Sequence, residues 1–88
     1  MGVEYYKGKA VPLFESMKFH KDKSYGLAAT ESGKGYYLYE LLENHIELRV
    51  HLSVQKGTLL KLEVVDDALG IRSFDKDGND TGFMKLPI

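Results

Sequence analysis

The most regular pattern in the chain is an alternation of apolar and polar residues from Ile46 to Gln55. Because successive side chains of a β-strand point to opposite faces, this alternation predicts a strand with one buried face and one solvated face. The apolar positions are every second residue: Ile46, Leu48, Val50, Leu52 and Val54. On this interpretation Val50→Asp unfolds the domain, whereas Arg49→Glu costs little because Arg49 lies on the solvated face.

The segments after this strand predict further strands joined by turns. Lys56-Gly57 separates the alternating segment from the apolar run of residues 58–65, and a two-residue link with a glycine predicts a tight hairpin. Residues 66–70 predict a turn or a single helical turn. The acidic segment 75–80 contains an Asp-Gly pair that favours a reversal between residues 71–74 and 82–86, so the chain should end in a hairpin.

Two segments in the first half fit either a strand or a helix. Residues 10–19 favour a strand, with Pro12 confining it to a sheet edge, but also fit a short helix that begins at Pro12. Residues 36–44 could form an amphipathic helix. The strand that starts near Ile46 would leave such a helix almost no connection, so a hairpin that turns at residues 43–45 is favoured.

These elements predict a fold that is mainly β: a small antiparallel meander forming a barrel or a sandwich, with one short helix as the alternative. The chain has 88 residues. A chain of this length is too short for a second independent core, so residues 1–88 are expected to form a single small β-rich domain.

Composition excludes several classes of protein. The chain contains no cysteine, which rules out disulfides, a thiolate nucleophile and a cysteine-based zinc site. No apolar run approaches the roughly 18 residues of a membrane-spanning helix, and the first residues lack the layout of a signal peptide. We therefore expect a cytoplasmic protein that does not bind membranes.

No motif predicts catalysis, a cofactor or a metal site. The acidic segment has Gly78 at the fourth position and Leu86 at the twelfth, which is not the spacing of a calcium-binding EF-hand. No serine lies in a nucleophile motif, and His45 and His51 are too far apart on one strand to share an ion. The sequence therefore predicts a protein that is not an enzyme.

Aromatic side chains are concentrated in a basic part of the chain. Residues 1–39 hold six lysines against four acidic residues, and eight of the ten aromatic residues. A strand over residues 36–42 would be apolar on both faces, one of which carries Tyr37, Tyr39 and Leu41. Since a small sheet normally buries only one face, the other face needs cover from the fold or from a partner.

We therefore predict a non-enzymatic protein-interaction module, with a second copy of the chain or another protein bound to Tyr37, Tyr39 and Leu41. The alternative is a small β-barrel that binds single-stranded nucleic acid by stacking bases on tyrosines beside lysines. The residues that suggest this alternative are Tyr5, Tyr6, Lys7, Lys9 and Lys34. The acidic second half and the lack of arginine before Arg49 make it the weaker hypothesis.

Overall fold

The computed structural model describes residues 3–6 and 9–87, and the side chains of residues 13–87. All nine described strands pair in the antiparallel direction. A hairpin forms from β1 (Val3–Tyr6) and β2 (Lys9–Pro12). A four-stranded sheet contains β3 (Ser16–His20), β4 (Lys23–Ala29), β5 (Gly35–Leu41) and β6 (Ile46–Ser53). A three-stranded sheet contains β7 (Leu59–Val65), β8 (Ala68–Phe74) and β9 (Asp80–Lys85).

The prediction of a mainly β, antiparallel fold is confirmed, and the described part of the chain contains no helix. Residues 10–19 contain the end of β2 and most of β3. Residues 36–44 continue β5 into a hairpin, in which the Leu42 N–H donates to the His45 carbonyl at 2.8 Å. The helical alternatives for both segments are therefore wrong. No described segment is a helix that could cross a membrane. A closed barrel or a sandwich stays a prediction.

The tight hairpin predicted at Lys56-Gly57 is wrong. β6 lies at the edge of the four-stranded sheet, and β7 lies at the edge of the other sheet. The Val54 N–H still donates to the Lys34 carbonyl at 2.9 Å, and the Thr58 N–H then donates to the Gln55 carbonyl at 3.0 Å. Gly57, with φ of 94°, therefore belongs to a turn that carries the chain from one sheet to the other.

One cluster of buried side chains draws on both sheets. The four-stranded sheet contributes aromatic and aliphatic residues from β4 and β5, and the other sheet contributes aliphatic residues from β7, β8 and the segment after β9. The buried residues are Tyr25, Leu27, Tyr36, Leu38, Leu60, Leu62, Leu69, Ile71 and Leu86. The sheets meet where β3 lies beside β7, and there the Leu62 N–H donates to Ser16 Oγ at 3.1 Å.

A bulge interrupts the alternation predicted for β6. Val50 pairs with Leu38 and Leu48 pairs with Tyr39, so Arg49 is the extra residue. Paired residues of a sheet share a face. Val50 and Leu52 therefore face the core, while Ile46 and Leu48 face outward. The strand is confirmed, but the assignment of Ile46 and Leu48 to the buried face is wrong, because the inserted residue reverses the side-chain direction.

The turn between β8 and β9 is organised by Asp75. Its Oδ1 accepts hydrogen bonds from the backbone N–H groups of Asp77 and Asn79, both at 2.9 Å. These bonds hold the pKa of Asp75 below its ordinary value of 3.8, with the Asn79 N–H as the largest cause. Gly78 has φ of 86°, as predicted for the Asp-Gly reversal.

Asp75→Asn is expected to destabilise the domain at neutral pH, and the difference from the wild type should narrow in acid. A carboxylate whose pKa is lowered by folding contributes stability above its unfolded pKa, near 3.8, and loses that contribution as the pH falls through the folded value. Urea unfolding at pH 7 and below pH 3.8 measures the difference in the free energy of unfolding between the wild type and Asp75→Asn. Asp77→Asn is the control in the same turn. A wild-type advantage that is unchanged in acid contradicts the assignment.

Candidate interaction surface

The outward face of the four-stranded sheet carries no lysine, arginine, aspartate or glutamate. The register places thirteen residues of β3 to β6 on the face opposite Leu27 and Leu38. They are Met17, Phe19, Ser24, Gly26, Ala28, Gly35, Tyr37, Tyr39, Leu41, Ile46, Leu48, His51 and Ser53. We call these residues, with Phe14 packed on them, the aromatic face. This composition, rich in apolar and aromatic residues, is typical of a buried surface.

Several large apolar side chains on the aromatic face are nevertheless open to solvent. Phe19 is 68% exposed, and Met17 and Leu48 are each 53% exposed. Tyr37, Tyr39, Leu41 and Ile46 are half-buried. Contiguous apolar surface of this kind marks an interaction site more often than isolated exposed residues do.

The outward face of the three-stranded sheet provides an internal comparison. The same register argument places five charged residues there: Lys61, Glu63, Arg72, Asp80 and Lys85. Arg72 pairs with Glu63 at 2.8 Å and with Asp80 at 2.9 Å, and the hydrogen bonds from Arg72 lower the pKa of Glu63. This sheet therefore has the charged outer surface expected of a solvated face, and the four-stranded sheet does not.

The aromatic rings on the aromatic face are packed against one another. A Cβ atom on Gly26 would lie 2.6 Å from the Phe14 ring, so the absence of a side chain there lets Phe14 lie on the sheet. The ring centroids of Phe14 and Tyr39 are 5.9 Å apart in an edge-on arrangement, and those of Tyr37 and Tyr39 are 6.3 Å apart. His51 stacks on Tyr37 at 4.8 Å. This packing pre-orders the rings, which lowers the entropy lost when a partner binds.

Burial raises the pKa of the Tyr39 hydroxyl, and the neighbouring Tyr37 raises it further. The Tyr39 hydroxyl is therefore neutral at physiological pH. The face offers apolar area and a few neutral hydrogen-bonding groups, and this combination suits contact with another apolar protein surface.

Three of the predicted site residues come together on the aromatic face: Tyr37, Tyr39 and Leu41. Lys34 is exposed in the turn before β5. Tyr5 and Tyr6 lie in β1 and Lys9 lies in β2, where Tyr6 pairs with Lys9, but their side chains lie outside the described part of the chain. Lys7 also lies outside the described residues.

Five large apolar residues of the aromatic face were not predicted from the sequence: Phe14, Met17, Phe19, Ile46 and Leu48. Met17 and Phe19 alternate with Lys18 and His20, so a strand signal was available for them. The sequence pattern predicts Leu48 on the buried face, whereas the bulge at Arg49 turns it outward. Nothing in the residue pattern marks the position of this bulge. The structure thus extends a three-residue prediction to the whole outward face.

Glu40 is the only buried charged residue in the described part of the chain, at 5% exposure. Its Oε1 accepts a hydrogen bond from Arg49 Nε at 2.9 Å, and Arg49 also contacts Glu47 at 2.8 Å. Tyr25 packs on the same side, where burial and the charge of Glu40 raise its pKa. The pair neutralises an inward-facing carboxylate and has the character of a structural ion pair.

No group of three or more histidine and acidic side chains within the described residues is placed to hold a metal ion. Comparison of the chain with known protein families, with curated proteins and with solved structures finds no significant match. The functional proposal therefore rests on the chemistry of the surface.

Proposed function

We propose that the chain is a non-enzymatic protein-interaction module that self-associates through the aromatic face. The observation that carries this proposal is the contrast between the two sheets: thirteen outward positions without lysine, arginine, aspartate or glutamate on one, and five such residues on the other. The proposal includes the cytoplasmic location expected from the sequence.

Charge complementarity favours a second copy as the partner. A two-fold symmetric dimer places the same surface on both sides of the interface, so a face with charges of one sign would repel itself. An uncharged face has no such repulsion, and two twisted sheets can stack about 10 Å apart with their side chains interleaved.

The size of the face predicts a weak dimer. Four strands about 4.8 Å apart and about 3.3 Å per residue give a face of roughly 20 by 20 Å, or about 400 Å² per copy. Stable complexes bury about 800 Å² per partner, so this contact falls in the class of transient interfaces, with Kd above about 1 μM.

Association through the strand edges is less favourable. β6, at one edge, contains the bulge at Arg49, and β9, at another, contains an irregular register beside Gly82 and ends at Lys85. Bulges and lysines are the features that keep an edge strand from pairing with another chain. The face is therefore the better route to a dimer.

Sedimentation velocity from about 10 μM to about 1 mM tests the proposal. The wild type should shift toward a dimer with rising concentration, and the double variant Phe19→Ser, Leu48→Ser should stay monomeric. Both residues are exposed, so the variant should remain folded. Leu59→Ser removes an exposed leucine from the other sheet and should dimerise like the wild type.

A wild-type chain that stays monomeric over this range contradicts self-association. Tyr37→Ala and Tyr39→Ala extend the test to the centre of the face. The nucleic-acid alternative has a different signature. Binding of a single-stranded oligonucleotide at about 50 mM salt that weakens steeply as salt rises would support it instead. The absence of lysine and arginine among the thirteen outward positions is the reason we favour a protein partner.

A further inference from the structure

The two sheets are closed on one side and open on the other. On the closed side β3 lies beside β7, and the Ser16 hydroxyl bonds to the Leu62 N–H. On the open side the edge strands are β6 and β9, which belong to different sheets. A groove of about 410 Å³ lies there, formed by the end of β6, the following turn, and β7, β8 and β9. We call it the inter-sheet groove.

The inter-sheet groove exposes part of the apolar interior. The buried side chains of Leu60 and Ile71 line it, together with Leu52 and Val54. Met84 pairs with Ile71 and so points toward the interior, yet it is 52% exposed. An inward-facing methionine that is exposed to solvent indicates a space that the side chains of residues 13–87 do not fill.

Among the residues that the structure describes, no charged side chain lines the groove. Its polar residues are neutral: Ser53, Gln55, Thr58, Ser73 and Thr81. Ser73 Oγ and Thr81 Oγ1 lie 2.7 Å apart, so their hydroxyls form one hydrogen-bonding point beside the apolar wall. A charged group placed here would lose its hydration without gaining a counter-ion, which is costly.

We propose that the inter-sheet groove binds a neutral, mainly aliphatic small molecule that carries one hydroxyl or carbonyl oxygen. Its apolar body contacts Leu60, Ile71 and Met84, and its oxygen bonds to the Ser73 and Thr81 hydroxyls. The volume lies within the range of about 300–1,000 Å³ found for small-molecule sites. Methionine is suited to such a site because its flexible side chain adapts to the shape of the ligand.

The inter-sheet groove shares only Ser53, at the end of β6, with the aromatic face, and none of the apolar residues proposed to bind the ligand, so the two proposals can fail independently. Binding is tested with the neutral fluorophore N-phenyl-1-naphthylamine, at a protein concentration below that of dimer formation. Fluorescence should saturate at one probe per chain. 1-Decanol should displace the probe, and displacement by decanoate should require a concentration at least about tenfold higher. No saturable binding, or equal displacement by decanoate, overturns the proposal.

Variants locate the probe. Met84→Glu should abolish binding, and Met84→Ser, which adds no charge, should weaken it by about tenfold through loss of apolar contact. Ser73→Ala should weaken the binding of 1-decanol more than it weakens the binding of the probe. Leu48→Ser, on the aromatic face, should bind like the wild type. Probe binding that survives Met84→Ser but is lost in Leu48→Ser would place the probe on the aromatic face and overturn the proposal.

Discussion

Leu38→Ala is expected to remove a large part of the stability of the domain, whereas Leu48→Ala is expected to leave stability nearly unchanged. Leu38 is 0% exposed and lies in the cluster between the sheets, while Leu48 is 53% exposed on the aromatic face. A buried Leu→Ala substitution costs about 2–5 kcal/mol, because it loses transfer free energy and leaves a cavity. An 88-residue domain has only about 4–13 kcal/mol in total.

The two variants distinguish a bulged β6 from an uninterrupted one, because the residue pattern alone predicts Leu48 to be a core position of β6. At an exposed position the same substitution should cost less than about 1 kcal/mol. Urea unfolding of the two variants, followed by circular dichroism, measures the difference. Equal losses at the two positions would mean that β6 continues without a bulge and that Leu48 is buried.

Arg49→Glu should destabilise the domain strongly at neutral pH, contrary to the expectation from sequence that it costs little. That expectation placed Arg49 and Val50 on opposite faces, but the bulge directs the Arg49 guanidinium to the buried Glu40. Without the guanidinium, a carboxylate at 5% exposure lacks its donor and faces a second carboxylate. An unsatisfied buried group of this kind costs about 1–3 kcal/mol or more.

The pH dependence of this variant separates charge repulsion from lost packing. Adjacent carboxylates raise the pKa of one of them in the folded state, so the folded variant binds more protons than the unfolded chain. The stability of Arg49→Glu should therefore rise as the pH is lowered from 7 to 5, and that of Arg49→Met should rise less. Unfolding midpoints at the two pH values measure this.

Arg72→Glu is the matched control in the three-stranded sheet. Arg72 also bonds to a carboxylate nine residues away, Glu63, but that carboxylate and its neighbour Asp80 are partly solvated. Exposed ion pairs contribute little because water screens them. Arg72→Glu should therefore cost less than Arg49→Glu, and equal losses would contradict a buried role for Glu40.

The contrast between the sheets also bears on the driving force for association. The three-stranded sheet carries ion pairs on its outer surface. Its two aromatic residues, Phe74 and Phe83, each lie beneath a cation, with Lys61 Nζ 5.8 Å from the centre of the Phe74 ring and the Arg72 guanidinium 5.4 Å from that of Phe83. The four-stranded sheet leaves Phe19 and Met17 uncovered. If the aromatic face binds a second copy, the exposed apolar area is removed from water, which supplies the driving force for association.

Much of the fold follows from local patterns. The β5–β6 hairpin, the strand over residues 46–53 and the reversal at Gly78 follow from side-chain alternation and from the backbone freedom of particular turn residues, both of which are local properties. The apolar content on both faces of residues 36–42 is also visible in the sequence alone, and it identifies Tyr37, Tyr39 and Leu41 as candidates for contact with a partner.

Tertiary packing decided which way the side chains of β6 point and where the chain goes after β6. One extra residue at Arg49 reverses the direction of every side chain before it in β6, and nothing in the alternation between Ile46 and Gln55 marks that position. The turn at Gly57 could close a hairpin or pass between sheets, because the local conformation is compatible with both, and the choice depends on which strands find a common core. Both the aromatic face and the inter-sheet groove arise from these long-range pairings, which local sequence cannot specify.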